Sequence, residues 1–382
     1  MKIKKEIKHA STSLLKELVN VSSYTFDSVG VNKCGAIVKD FLINNFPENK
    51  VHIKILKSSN KSNKGNSMIC NMGSTRKPNL LLSGHLDTVH KNHYSNFSEK
   101  DVKFYGPGIN DMKGGIVVLL FGLLEYYKKT KTVPHCTLVF TPDEEDGSKE
   151  FSSELGKIYK NHKIGLVFEG GGLNNEICYQ RKGVCQFRLT VKGKAGHAGY
   201  FVNKYPNAIE EMAYKILEIR ILSSLYKDTS VNIGKIDGGL RPNIIADKCT
   251  IEIDCRFTYL KELNRIRSLL KHITSKSRIK GSKANLEETA YLPPMVPAKN
   301  GLILLKEIKK LANDMEFPII LEKRGGGSDG NFMADRGMAV IDGLGACGAE
   351  AHTRNEYIIK DFLWKRILLC QKIIEMAVNY NF

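Results

Sequence analysis

The stretch LLSGHLDTV, residues 81–89, ends an apolar run on a glycine and then sets His85 and Asp87 two residues apart. In an extended chain alternate side chains share a face, so the two point the same way. A carboxylate so placed can hold an imidazole in one tautomer and aim its other nitrogen at a metal ion. The plain alternative is a strand that turns polar where it meets the surface. Four more polar clusters follow apolar runs. Asp111 comes after YGPGIN and opens DMKGGIVVLLFGLL, and Asp143-Glu144-Glu145-Asp146 comes after TLVFTP. Glu169 follows GLVF and precedes three glycines, and His352 lies in GACGAEAHTRNEY. Taken singly, Asp111 reads equally well as a helix N-cap, the acidic run as a solvated turn, and His352 as a surface histidine. Taken together, they stand at strand ends, where open α/β sheets gather ligands. Carboxylates gathered there repel one another unless a cation neutralises them. Two histidines with three carboxylates suit zinc, and the absence of cysteine from the set points to a catalytic site with an open position.

The elements that must hold these residues are legible in outline. Residues 79–84 (NLLLSG), 136–141 (CTLVFT) and 164–169 (IGLVFE) read as buried strands of an α/β sheet. A helix from about Met112 to Lys129 separates the first two. From about Arg181 the texture changes. Residues 184–193, 230–236 and 248–257 alternate apolar and polar, as half-exposed antiparallel strands do. Amphipathic helices lie between them, near Pro206–Leu225 and Leu260–Thr274. The β-α-β-β-α-β order predicts a split-βαβ insert that closes near YLPPMVPAKNG, residues 291–301. The chain then returns to helix, strand and loop, with a last helix from about Lys360. The expected division is a discontinuous first domain, 1–181 and 296–382, and an inserted domain, 182–295.

The bulk numbers set limits. A chain of 382 residues exceeds one ordinary core, and 42% hydrophobic with 26% charged residues describes a soluble globular protein. The N-terminus has no apolar core of signal-peptide length. The most apolar run, Ile116–Leu124, is far short of the roughly 20 residues that span a bilayer. No membrane association and a cytoplasmic location are expected, unless a leader has been trimmed. Nine cysteines without a C-x-x-C pair read as reduced thiols. The net charge of +18 favours acidic partners. However, the basic residues are dispersed, and the tracts KSSNKSNKGNS and KHITSKSRIKGSK lack aromatics for base stacking, so no nucleic-acid partner is expected.

The series SGHLDTV, GPGINDMKGG, TPDEEDGS, FEGG, GKAGHAG and GGGSDGN…AHTRNEY resembles, in order and over nearly the whole chain, the co-catalytic zinc metallopeptidase family. That family includes glutamate carboxypeptidase, succinyl-diaminopimelate desuccinylase, acetylornithine deacetylase and aminoacylase; the wording is most similar to bacterial glutamate carboxypeptidase. The resemblance implies a zinc-peptidase-like mixed sheet flanked by helices, with an inserted ferredoxin-like α+β dimerisation domain. It implies two zinc ions per subunit, with cobalt or manganese as substitutes. His85, Asp111 and Glu169 would hold one ion, and Asp111, Glu145 and His352 the other. Asp87 would orient His85, and Glu144 would be the general base. His197 would reach across a homodimer interface to the developing oxyanion. Asn243, Arg256 and the backbone of Gly326 and Gly327 would bind the substrate.

The substrate class so implied is a small peptide or N-acyl amino acid with a free carboxylate. The sequence departs from the family's pattern at three points. Gly170 follows Glu169 where relatives carry proline, NIIAD lacks a proline after its second isoleucine, and YLPPMVPAKNG lacks the arginine of the glutamate-selective relative. The last leaves no obvious cation for an acidic side chain. The leading expectation is a zinc-dependent exopeptidase. The alternatives are a deacylase acting on acetylornithine or succinyl-diaminopimelate, and a non-catalytic basic binding protein.

Overall fold

Three apolar runs without polar alternation, Leu80–His85, Cys136–Thr141 and Ile164–Val167, are buried along their whole length. Such runs are stable as strands only when both faces are covered, and here they lie side by side and parallel. The computed structural model describes residues 3–59, 62–74, 78–92, 94–224 and 228–380. The central sheet has six strands, in the order Val51–Leu56, Ser67–Met72, Cys136–Thr141, Leu80–His85, Ile164–Val167, Ala339–Ile341. The first two pairings are antiparallel and the rest parallel, which makes the sheet mixed. Helix Gly114–Thr130 is apolar on nearly every side, and it is buried against the helices Lys360–Ala377 and Lys5–Val19.

Two boundaries moved in ways that matter for the site. The strand expected to stop at Gly84 runs on to His85, so the histidine is its last residue. The helix expected from Met112 begins at Gly114, after an irregular turn over Ile109–Lys113. A small sheet escaped the sequence reading altogether. It joins Gly348–Ala349, Tyr357–Ile359, Lys103–Tyr105 and Ser98–Lys100, strands of two or three residues, too short to show a period. Its register pairs Tyr357 with Tyr105, which brings Glu356 to the end of the sheet where the GPGIND loop departs.

The chain divides into two compact units. The first comprises residues 1–180, 296–324 and 328–382, and the second comprises 181–295 with glycines 325–327. In the second, the strands run in the order Ser230–Gly238, Lys248–Phe257, Gly183–Lys192, Lys283–Leu292, all antiparallel, a ferredoxin-like arrangement. Helices Ala208–Arg220 and Leu260–Ser275 cover the face that carries Cys185, Phe187, Leu189 and Val191. The first of these helices was expected to reach Leu225, which lies outside the described residues, as do Asn60 and Lys61 of the Lys/Ser/Asn loop.

Candidate metal centre

The parallel strands ending at Thr141, His85 and Val167 are neighbours, so their carboxyl ends deliver the acidic loop, His85 and Glu169 to one place. Asp111 joins them from the turn before the central helix. One of its oxygens, Oδ1, lies 3.0 Å from His85 Nε2, and the other, Oδ2, lies 3.0 Å from His352 Nε2. Glu169 Oε1 is 3.8 Å from His85 Nε2, and Glu145 Oε2 is 3.3 Å from His352 Nε2. The donor atoms thus form two groups that could hold a metal ion, with Asp111 in common: His85, Asp111, Glu169 and Asp111, Glu145, His352. The N-cap alternative for Asp111 is excluded, because the helix starts three residues later, at Gly114, with Lys113 in the N-cap position.

The electrostatics describe a group of carboxylates short of positive charge. Burial pushes Glu144 well above the usual carboxylate range, and neighbouring Glu169 pushes it further. Burial likewise raises Glu169 to about 7, against the pull of His85. Asp111 is half-buried, yet hydrogen bonds from His352 and His85 hold it well below that range. Burial alone would strip His85 of its proton, but Glu169, Asp111 and Asp87 hold its pKa well above the usual imidazole value. His352 is pushed up to about 10 by Asp111 and Glu145. Among the described residues Glu145 Oε1 is buried with no hydrogen-bond partner. An orphaned acceptor in a nest of carboxylates is what a divalent cation would satisfy, and the nitrogen and oxygen donors fit zinc.

Asp87 does more than the opening motif suggests. The closest partner of His85 Nδ1 is the Asp87 carbonyl, at 2.9 Å, with the carboxylate Oδ1 at 3.4 Å. The carboxylate chiefly accepts the N–H groups of Glu144 at 3.1 Å and Glu145 at 3.3 Å, and the Thr25 hydroxyl at 2.7 Å. It therefore ties the strand end that carries His85 to the loop that carries both glutamates. Further supports of that loop escaped the sequence reading. Lys64 Nζ lies 2.8 Å from both Asp143 and Asp146. Buried Asp329 accepts the hydroxyls of Thr141, at 2.6 Å, and Ser148. These partners lie between 79 and 188 residues apart in the chain, beyond any motif. Gly170 is also explained, since a Cβ there would sit 2.8 Å from the Asn110 side chain.

The remaining expected residues lie in the second unit. His197 is exposed, with its Nδ1 accepting the Gly199 N–H at 3.1 Å, and the adjacent Ala198 N–H bonds to the Asn243 carbonyl. Arg256 does not present a free fork. Its Nε and Nη2 go to Asp254 at 2.8 and 3.2 Å, and Nη1 goes to the Gly325 carbonyl. The Gly326 and Gly327 carbonyls accept from Arg181.

Residues 81–376 match the sequence pattern of peptidase family M20/M25/M40. The chain is similar to carboxypeptidase G2 of Pseudomonas sp. (strain RS-16), with 25% identity over 369 residues, 94% of this chain and 87% of that protein. It is also similar to succinyl-diaminopimelate desuccinylase of Rickettsia prowazekii (strain Madrid E), with 28% identity over 91% of this chain and 94% of that one. Among solved structures, aminopeptidase PepT of Bacillus cereus ATCC 10987 superposes with a TM-score of 0.77 at 22% identity, covering 99% of this chain and 100% of that one. That likeness speaks for the fold.

Proposed function

Because the chain belongs to peptidase family M20/M25/M40 and is therefore a hydrolytic enzyme, we propose that it is a two-zinc amidohydrolase, a glutamate-carboxypeptidase-like exopeptidase releasing a small amino acid with a free carboxylate. The observation that carries this reading is Asp111, whose two oxygens face two histidines in two ligand groups. His85, Asp111 and Glu169 would hold one ion, and Asp111, Glu145 and His352 the other. Bound there, a pair of divalent ions polarises a carbonyl oxygen and acidifies water. Glu144 takes the proton from the attacking water and returns it to the departing amine. A base held above the usual carboxylate range by burial is suited to both transfers. Asp87 keeps the Glu144 backbone fixed to the His85 strand.

The inserted unit would pair two subunits. Its helix Ala208–Arg220 exposes Ile209 and Leu217, Ile221 follows, and strand Ser230–Gly238 is an open edge. An apolar face beside an open edge is what self-pairing buries. In that homodimer His197 would serve the partner's oxyanion, while Asn243 and Arg256 would take the substrate carboxylate. Nine buried cysteines that form no disulfide support a cytoplasmic location. Among the described residues no helix is long and apolar enough to cross a membrane.

A second reading, a deacylase of the desuccinylase type, is supported by the 28% identity with that relative across 94% of its length. One experiment addresses both readings. Zinc content is measured per chain, and the loaded enzyme is offered dipeptides and N-acyl amino acids in parallel with N-succinyl and N-acetyl diamino acids. Two zinc ions and turnover of the first series support the exopeptidase. Turnover of the second series alone supports the deacylase, and a chain that binds no metal refutes the two-metal reading.

A further inference from the structure

Glu356 is enclosed, 1% exposed, and takes no part in the chemistry above. Its carboxylate is saturated. Oε1 accepts the N–H of Asn110 at 2.7 Å and that of Asp111 at 2.9 Å. Oε2 accepts the N–H of Gly108 at 2.9 Å and lies 3.0 Å from His90 Nε2. A carboxylate offers about four acceptor positions, and all four are taken.

Burying a carboxylate is costly, so its partners show what the cost secures. Three of the four are backbone donors of one turn, the turn that delivers Asp111. That turn has little regular structure to hold it. Gly108 is left-handed (φ 69°), and a Cβ there would sit 2.4 Å from the Thr88 methyl. Asp111 lies outside the helical region. Its N–H therefore gains no helical partner and bonds to Glu356 instead. The pairing of Tyr357 with Tyr105 sets Glu356 opposite the start of the turn, and Gly106 N–H bonds to the Glu356 carbonyl.

We infer that Glu356, its last acceptor position filled by His90, is a positioning residue that presets the backbone of Asp111, so that its two oxygens face the two histidines before any metal arrives. The inference rests on the two-metal reading above. Because both ligand groups share Asp111, loosening this one backbone site weakens both metals together. A residue that merely stabilised the turn would lower the melting temperature and leave the metal sites of the folded protein unchanged.

The test uses full-length protein as wild type, Glu356→Gln and His90→Phe. Glutamine keeps the shape but turns one acceptor oxygen into a donor facing donors. Phenylalanine removes one of the four bonds and keeps a ring beside Tyr94, against which His90 lies edge-on at 5.2 Å. Zinc affinity is measured by competition with a chromophoric chelator, the visible absorption of the cobalt-loaded protein is recorded, and folding is checked by circular dichroism. In Glu356→Gln we expect both affinities to fall about 10- to 100-fold, with altered cobalt bands, and in His90→Phe a smaller change in the same direction. Folded Glu356→Gln with wild-type affinities and an unaltered cobalt spectrum overturns the inference. If that variant does not fold, wild-type affinities and spectrum in His90→Phe overturn it. Wild-type protein that binds no metal overturns the two-metal reading, and with it this inference, by a result the variants cannot mimic.

Discussion

Replacing Glu169 by glutamine should stabilise the metal-free protein while weakening its hold on metal. The side chain is 10% exposed, and burial, with Asp111 adding repulsion, raises its pKa from 4.5 to about 7 despite His85 at 3.8 Å. An unfolded glutamate loses its proton near 4.5, and the folded one keeps it until about 7. Between those values the folded state binds more protons, so stability falls as pH rises through the window and stays low above it. The shift corresponds to roughly 3 kcal/mol. Glutamine has no proton to lose. Metal-free Glu169→Gln should therefore match metal-free wild type near about pH 4 and exceed it by roughly 3 kcal/mol near about pH 8. Zinc reverses the order, because the wild type gains about 2.7 kcal/mol per site at 100 times its Kd and the variant has lost a ligand. Denaturant unfolding, followed through Trp364, the single tryptophan, which packs on the first unit's core, reads both comparisons with chelator and with zinc. A metal-free variant no more stable than wild type near about pH 8, or a gap equal at both pH values, would refute the argument.

Three further outcomes are expected. His85 and His352 both have raised pKa values in the metal-free protein, the latter about 10, so metal uptake at neutral pH should release protons and tighten as pH rises; calorimetry in two buffers of different ionisation enthalpy checks this, and a buffer-independent heat would count against it. Glu144→Gln should keep both metals and lose turnover by about 10²- to 10⁴-fold, read by metal analysis beside kcat. Arg256→Ala should lower kcat/KM by about 10- to 150-fold for every carboxylate-bearing substrate, the worth of a charge-assisted hydrogen bond, whereas Asp254→Asn, which frees the same guanidinium, should lower KM.

The candidate ligand set was legible because its residues are marked twice, by type and by place. His85, Glu145 and Glu169 each follow an apolar run, and such runs in an α/β chain become neighbouring parallel strands that end together. The insert was legible because half-exposed strands alternate with period two, as Gly183–Lys192 does along its length. The small sheet of Lys103–Tyr105 and Tyr357–Ile359 was not, since three residues carry no period, and with it went the placement of Glu356. The pairing of Arg256 with Asp254 was within reach. Two residues apart on one strand, they share a face, and an opposite charge there competes with any substrate for the guanidinium.

What stayed hidden has a common physical character. Thr25, Lys64, Asp329 and Glu356 act by hydrogen bonds to backbone or to other polar side chains, and backbone partners leave no trace in residue type. Glu356 meets Gly108 across 248 positions, and Thr25 meets Asp87 across 62. The candidate metal ligands are histidines and carboxylates, a restricted set of residue types that is visible in a sequence. A residue that fixes a main-chain N–H needs only an acceptor in the right place, and many surface residues supply the same atoms. Such a role becomes apparent only when burial removes water as the competing partner. At Glu356 both conditions hold: a side chain sealed from solvent, and donors belonging to the one turn that both ligand groups share.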